Sequence, residues 1–577
     1  MDKCKDFFFT YNTKSRNIKF YIKSNFKEVK KKKITFFILG KPKIDYGSFF
    51  LKFQNNKNFL KKINGEFLMI VKYDKKILII NDRFTSIPLY YVMIKDEIFF
   101  SNNYISLFKK IKNKAIIKLL PENFLEFLNF RKLHGDKTFD DKIKFLNYSS
   151  ILKISSRKIL IDRYWFPNFD DKYKDKSLNF ISNLLIKKTL NSISNKIETK
   201  KKVNLFLSGG LDTRFILAAL IKLNLQIKCF TFGFDKKGEY KYSRLLTKIF
   251  KIKHYFMKID KEELIKNCSL KLNLSSGMYN HYINFFNCKK KLNTDSIILH
   301  GHGFDYLFQG MYLPNKRLKV YNRDTYLKFP LDMNNHNDVI KYYFFNSSYK
   351  TKNFDLNKYV KKKYRKKIEK KLIFNLKKDF KETSKLRDNN HKWEYILIKN
   401  LSRHYSHIDV LSISKFGNEK TISFDNELFD FYLSLNRNDR FDGRIMRNSL
   451  KILNKDFSNI PSANHGQKII FSSKRLFFNS IFRKIFYWLS KNKKYLHPKN
   501  ENRTFPNLDD QIKQFDYLKK NISLMLKEKN FRDFFYFLNF EKFEEDFHSL
   551  IKGRIKGKGQ ILILLLHLYK LKKRLDF

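Results

Sequence analysis

The stretch Val203-Asn204-Leu205-Phe206-Leu207-Ser208-Gly209-Gly210-Leu211-Asp212-Thr213-Arg214 limits the fold of this chain more than any other segment. An apolar run, a glycine pair and a polar entry into a second apolar run read as a buried strand, a tight turn and a helix start. That arrangement binds phosphate. Gly209 and Gly210 let the backbone approach an anion, and the free amides of the helix N-terminus supply donors and a favourable dipole. Leu207 closes the strand on the ligand side, and Ser208 and Thr213 add hydroxyls. Asp212 sets a carboxylate beside those phosphates, where it repels them unless a divalent cation such as magnesium lies between.

The loop lacks the Lys-Ser or Lys-Thr ending of a Walker loop and the three spaced glycines of a dinucleotide fingerprint. SGGLDTR instead resembles the PP-loop of the ATP pyrophosphatases. Enzymes of that group cleave ATP between the α and β phosphates, leaving an adenylated substrate and pyrophosphate.

With 577 residues, 43% of them hydrophobic, the chain has room for two or three domains with sizeable cores. A net charge of +65 ordinarily points to nucleic acid or an anionic surface. Here the lysines are spread along the whole chain and accompany heavy use of Asn, Ile, Phe and Tyr, the residues of AT-rich codons, so codon bias is the preferred reading. Nucleic acid and membrane are therefore not expected as partners. Cys4, Cys229, Cys268 and Cys288 show neither metal-ligand nor disulfide-ladder spacing, which fits a reducing cytoplasm. The amino terminus lacks a signal-peptide core, and the apolar run 561–568 is too short to span a bilayer and reads as a buried terminal helix.

Short β-like runs at 34–39, 67–73, 77–80, 89–94 and 97–100 predict a layered β-rich domain over residues 1–168. A charged linker follows at 170–176. Helical spacing over 177–197 leads into the glycine-loop strand. Beyond it a helix at 214–223, a strand at 227–233, a helix at 240–250 and a strand at 296–299 alternate, as in a parallel sheet with ligands at its carboxyl edge. From about residue 337 the pattern is mostly helical. The second domain is expected to cover 177–577.

Over most of its length the chain resembles the asparagine synthetase family. Cys229-Phe230-Thr231-Phe232-Gly233 falls where that family has its second strand, near the adenine, and the run from Glu239 to His254 resembles its acidic-start helix. Ile297-Ile298-Leu299-His300-Gly301-His302-Gly303-Phe304-Asp305-Tyr306-Leu307-Phe308-Gln309-Gly310 is similar to the family signature SGEGxDExFGGY. The resemblance implies an α/β and α+β architecture: a glutaminase-like β-rich domain, then a PP-loop, adenine nucleotide α-hydrolase-like parallel-sheet domain with a helical carboxyl-terminal part. It implies an ATP-dependent carbon–nitrogen ligase of asparagine biosynthesis type, with aspartate as the default carboxylate and ATP and Mg2+ as cofactors. Leu207, Ser208, Gly209, Gly210, Asp212, Thr213, Gly233 and Gly301 would bind the nucleotide, and Asp212 and Asp305 the metal.

In the amino-terminal part, Ile63-Asn64-Gly65-Glu66-Phe67, Val71-Lys72-Tyr73-Asp74 and Asn81-Asp82-Arg83-Phe84-Thr85-Ser86-Ile87-Pro88-Leu89-Tyr90-Tyr91 resemble scaffold segments of the family's class II glutaminase domain. The same holds for Gly135-Asp136-Lys137-Thr138-Phe139 and Arg163-Tyr164-Trp165. The family's terminal nucleophilic cysteine has no counterpart after Met1-Asp2 unless processing exposes Cys4, and no glutamine clamp follows it. Asn64-Gly65-Glu66 is similar to the glutamine-binding triplet but stands in the scaffold strand. The expectation is a retained fold without glutaminase activity, with ammonia or another amine as nucleophile.

His302 replaces the glutamate of the GEG signature and is the candidate acid or base, together with Glu419. Tyr306 replaces an acidic residue, and Thr421 and Ser423 replace the arginine and proline of the E-x-R-x-PF pattern, of which Phe424 remains. The nucleotide half is thus expected to be kept and the acceptor half altered. A non-catalytic relative with a regulatory or structural role and a PP-loop enzyme acting on transfer RNA stay open as alternatives, as does a homodimer.

Overall fold

A computed structural model describes the chain apart from residues 1–5, 23–25, 32, 56, 74–75, 156–157, 198–201, 260–271, 274, 279–291, 293–295, 322, 348–349, 404, 415–416, 491–506 and 576–577. Cys4, Asp74, Cys268 and Cys288 lie outside the described residues, while Cys229 is buried as a free thiol.

Among the described residues, eleven strands build the amino-terminal domain: β1 (Phe8–Asn12), β2 (Asn17–Ile22), β3 (Lys27–Lys31), β4 (Ile34–Gly40), β5 (Phe67–Tyr73), β6 (Lys76–Asn81), β7 (Tyr90–Ile94), β8 (Glu97–Ser101), β9 (Lys144–Phe145), β10 (Ser150–Ser155) and β11 (Lys158–Arg163). They form two sheets of order β2-β1-β8-β7-β9 and β11-β10-β6-β5-β4-β3. Because successive strand side chains point to opposite faces, the continuous apolar run of β5 splits in two. Leu68 and Ile70 join Phe9, Phe100 and Leu152 in the layer between the sheets. Met69 and Val71 join the opposite, outer core. Helices cover both outer faces: Phe49 of Phe49–Asn55 packs on Phe36 of β4, and Tyr104 of Tyr104–Ile111 on Tyr90 of β7. The result is a helix–sheet–sheet–helix sandwich.

The stretch 170–176 is a turn whose Tyr173 packs on Phe431. After the helix Leu178–Ile197 come β12 (Lys202–Phe206), β13 (Gln226–Gly233), β14 (Lys253–Lys258), β15 (Ile297–Leu299), the hairpin β16 (Asn315–Val320) and β17 (Arg323–Pro330), and β18 (Asn418–Glu419). Five of these make one parallel sheet of order β14-β13-β12-β15-β18. The chain leaves β12 toward β13 and β14 on one side and returns to β15 and β18 on the other. The crevice between β12 and β15 is therefore the switch point, where a ligand meets the carboxyl ends of two adjacent strands. The apolar run 561–568 lies wholly buried in the helix Gly559–Leu575. No helix among the described residues is long and apolar enough to cross a membrane.

One buried network ties the sandwich to the carboxyl-terminal helices. The Glu126 carboxylate accepts from Nδ1 of His134 at 2.8 Å and from Lys137 at 2.7 Å, Lys137 also pairs with Asp379 at 3.0 Å, and His134 Nε2 meets the Tyr343 hydroxyl at 2.6 Å. Lys137 neutralises the carboxylates, so this is an ion-pair network although Glu126, His134 and Asp379 could together offer metal ligands. Burial pushes His134 down to about 4, against the pull of Glu126. Its folded-state pKa lies below the unfolded value, so its contribution to stability is complete above pH 6.5 and is lost as pH falls from 6.5 to about 4. Replacing His134 by Gln should flatten the stability–pH slope across that window by up to about 3 kcal/mol, measured by urea unfolding.

Candidate active site

Both glycine loops leave the sheet at the switch point, one after β12 and one after β15. Leu207 prolongs β12, donating its N–H to Phe230 at 2.9 Å and accepting from the Thr231 hydroxyl at 2.7 Å. The turn is braced from within. Ser208 N–H donates to Thr213 Oγ1 at 3.0 Å, the two hydroxyls lie 3.0 Å apart, and Gly210 N–H donates to Ser208 Oγ at 3.2 Å. Gly210 then caps the helix Leu211–Lys222 without a side-chain hydrogen bond. A methyl group at Gly209 would stand 2.9 Å from the Ala463 Cβ, so the loop is packed to the limit glycine allows. Gly233 ends β13 on the same edge, its carbonyl accepting from Ile259 at 2.8 Å.

Two residues that motif reading left without a role hold this loop. The Gly209 N–H donates to the carboxylate of Glu239, an acidic side chain standing where the loop presents its amide to an anion. Burial raises the Glu239 carboxyl above the usual range. Arg214 is fully buried and donates to the carbonyls of Gly209 (2.9 Å), Phe457 (3.0 Å), Ile460 (2.7 Å) and Pro461 (2.9 Å). Burial lowers its pKa only to about 10, so it stays charged at pH 7. Arg214→Ala would strip a donor from four carbonyls at once. Chemical denaturation should show a loss of about 3–5 kcal/mol, the scale for breaking a buried charged network, before any effect on ligand binding is considered.

The second loop lies against the first. A Cβ on Gly301 would come within 2.7 Å of the Asp212 Cβ and 3.1 Å of the Thr213 amide nitrogen, a contact that only glycine permits. Gly303 has φ +94° and abuts Ser423. Asp305 opens the short helix Phe304–Leu307. Burial, joined by the neighbouring Asp305 charge, pushes Asp212 well above the usual carboxylate range, and burial raises Asp305 to about 6. Gln309 donates its side-chain amide to Asp212 Oδ1. Two desolvated carboxylates in mutual repulsion offer the hard oxygen donors that a divalent cation takes, so the residues present fit magnesium on chemical grounds.

Beyond this pair lies a buried histidine cluster. The His302 N–H donates to Nδ1 of His300 at 3.2 Å, which leaves Nε2 of His300 to donate to Glu419 at 2.9 Å; Glu419 also accepts from the Thr421 hydroxyl at 2.8 Å. Glu419 is thereby drawn into a chain through His300, a residue the motif comparison passed over. The His302 ring meets the Tyr306 hydroxyl at 3.1 Å, and its backbone carbonyl accepts from Ser423 at 2.7 Å. Burial, with His300 and His407 nearby, holds the His302 imidazole well below its usual range and therefore neutral at pH 7. Of the altered positions, Tyr306 and Ser423 thus touch His302 directly, and Thr421 reaches the cluster through Glu419.

The amino-terminal sandwich reaches the same place. Phe84 stacks on Phe424 with centroids 4.6 Å apart, and Phe424 in turn lies 5.7 Å from the His302 ring. Arg83 donates to Asp430 at 2.6 Å, and Asn64 to Asp425 at 2.7 Å. Glu66 accepts from the Thr421 N–H at 3.3 Å and from Lys196 at 3.4 Å. Segments read from sequence as scaffold are therefore the seam between the domains.

A two-sheet sandwich seamed to a parallel α/β domain, with a glycine loop and paired buried carboxylates at the switch point, defines a two-domain protein of amidotransferase-like build. The Asparagine synthase family model matches residues 186–456, and the Glutamine amidotransferase domain model matches residues 51–165. A candidate glutamine-hydrolysing asparagine synthetase 2 of Methanocaldococcus jannaschii is 26% identical over 304 residues, 48% of this chain and 56% of that protein. The glutamine-hydrolysing asparagine synthetase 1 of Bacillus subtilis is 26% identical over 184 residues, 31% of this chain and 28% of that protein. Together these matches support the asparagine synthetase family, with a glutamine amidotransferase-like domain ahead of the synthetase part. The matched region spans only about half, or less, of these relatives' own length. A solved glutamine phosphoribosylpyrophosphate amidotransferase from B. subtilis shares 6% identity over 47% of this chain and 56% of its own, with a TM-score of 0.16, too low to bear on the fold.

Proposed function

We propose that the chain is an ATP-dependent carbon–nitrogen ligase that activates a carboxylate by adenylation and forms an amide with ammonia or another amine. The observation that carries this reading is the placement of Asp212 and Asp305, two buried carboxylates of raised pKa from the ends of adjacent strands. In this reading Ser208, Gly209, Gly210 and Thr213 receive the phosphates, with Glu239 giving up the Gly209 amide, and Leu207, Gly233 and Gly301 line the nucleotide. Asp212 and Asp305 would hold magnesium, which would supply charge neutralisation on the pyrophosphate. Residues 1–168 form the sandwich half and 177–577 the synthetase half.

The nitrogen is assigned to a free amine because Asn64 and Glu66, the nearest likeness to a glutamine-binding triplet, are engaged in the interdomain seam. His302, neutral and bonded to Tyr306, is the proton acceptor for the incoming amine, and Glu419 orients the cluster through His300. Carboxylate-dependent ATP–pyrophosphate exchange tests the proposal, with aspartate first and a panel of amino and sugar acids after it. Exchange with one acid in the presence of magnesium is the expected result. Silence across the panel, with nucleotide bound, would favour a non-catalytic relative.

A further inference from the structure

The helix Ser473–Ser490 leaves an apolar face uncovered. Its sequence carries an apolar stripe at the spacing of one helical face, through Phe478, Ile481, Phe482, Ile485 and Leu489. A surface helix buries such a stripe. Here those five side chains are 37% to 64% exposed, Trp488 is 69% exposed, and the only fully buried residues of the helix are Ser473 and Leu476. The less exposed side of the helix mixes Leu476, Phe477 and Tyr487 with Asn479, Ser480 and Arg483, with Asn479 donating to Gln467 at 2.9 Å. The hairpin beneath adds exposed Leu318, Val320 and Tyr321.

Charge selects what covers this face. The helix exposes Lys474, Arg475 and Lys484 and holds no acidic residue, and β16 adds Lys316, Arg317 and Lys319. A second copy would bring one cationic rim onto another within a Debye length of about 8 Å, in a chain whose net charge is already +65. An anionic bilayer answers both demands, since acyl chains take the aromatic and aliphatic stripe while headgroup phosphates meet the basic rim. We infer that Ser473–Ser490 is an interfacial helix that lays the protein on an anionic phospholipid surface, without spanning it. Neither the even spread of lysines nor the short apolar run 561–568 points to a membrane. Lying in the interface needs only one amphipathic face.

Flotation of the full chain with vesicles of phosphatidylcholine alone, or containing 30 mol% phosphatidylglycerol (about one lipid in three), tests this. The expected result is binding to the anionic vesicles at least about tenfold above the neutral ones, weakened by salt. Phe482→Glu with Ile485→Glu should lower that binding about tenfold or more while leaving the thermal unfolding curve unchanged, because both side chains already face solvent. Lys474→Glu with Arg475→Glu should weaken it less and remove much of its salt dependence. Absence of anionic-vesicle binding overturns the inference, and so does binding indifferent to the Phe482 and Ile485 changes. A concentration-dependent dimer that this pair of changes dissolves, with no vesicle binding, would assign the face to a second copy instead.

Discussion

Asp212→Ala and Asp305→Ala should each reduce pyrophosphate release by about a thousandfold or more, equivalent to roughly 4 kcal/mol of barrier. Both carboxylates are buried, and the Asp305 charge adds to the cost of ionising Asp212. A cation that gathers the pair would offset that cost beyond what protonation and the Gln309 amide supply. The asparagine variants sharpen the test. Asp212→Asn and Asp305→Asn remove the repulsion but keep the shape, so in chelator at pH 7 their melting temperatures should match or exceed the parent's while activity is lost. Near-normal turnover with magnesium in both alanine variants would show that the pair is not the metal site.

His302→Ala should divide the reaction. Adenylation relies on the first loop and the carboxylate pair, so carboxylate-dependent ATP–pyrophosphate exchange should survive, while amide formation falls about a hundredfold, the scale of losing a general base. Neutral at pH 7, the imidazole is free to accept a proton, although its depressed pKa makes it a modest base. Glu419→Gln should act more mildly, because Glu419 reaches the cluster through His300. An altered pH profile of amide formation, with exchange unchanged, would mark it as a positioning residue. Equal loss of both half-reactions in His302→Ala would make His302 part of the nucleotide site and end the division into a retained half and a remodelled half.

Much of this architecture was legible in the residues. The run into Ser208-Gly209-Gly210 and the apolar spacing after it specify strand, turn and helix because hydrophobic period and glycine freedom act over a few residues. The same local rules marked β4 to β8 of the sandwich and the buried terminal helix, but not β1 to β3 or β9 to β11. The hairpin β16–β17 escaped notice, since alternating lysines and short apolar residues in a solvent-facing ribbon imitate a charged loop. Glu239 and Arg214 were visible only as letters in a motif. Their work lies in reaching Gly209 from the next helix and carbonyls far along the chain.

By itself, then, the sequence determined β4 to β8, the strand, turn and helix of the first glycine loop, the buried terminal helix, and the place of Asp212, Thr213, Asp305 and His302 in two segments that resemble family signatures. Only the tertiary structure decided that β15 lies beside β12, which presses Gly301 onto Asp212 and brings the two carboxylates together. It alone decided that Glu419 belongs to His300, that Phe84 of the sandwich stacks on the wall of the His302 site, and that the stripe on Ser473–Ser490 faces outward. The physical reason is common to all of these. Periodicity encodes that a face is apolar, but which surface meets it depends on sheet order and domain docking, which are set by the energy of the whole core rather than by any local run of residues.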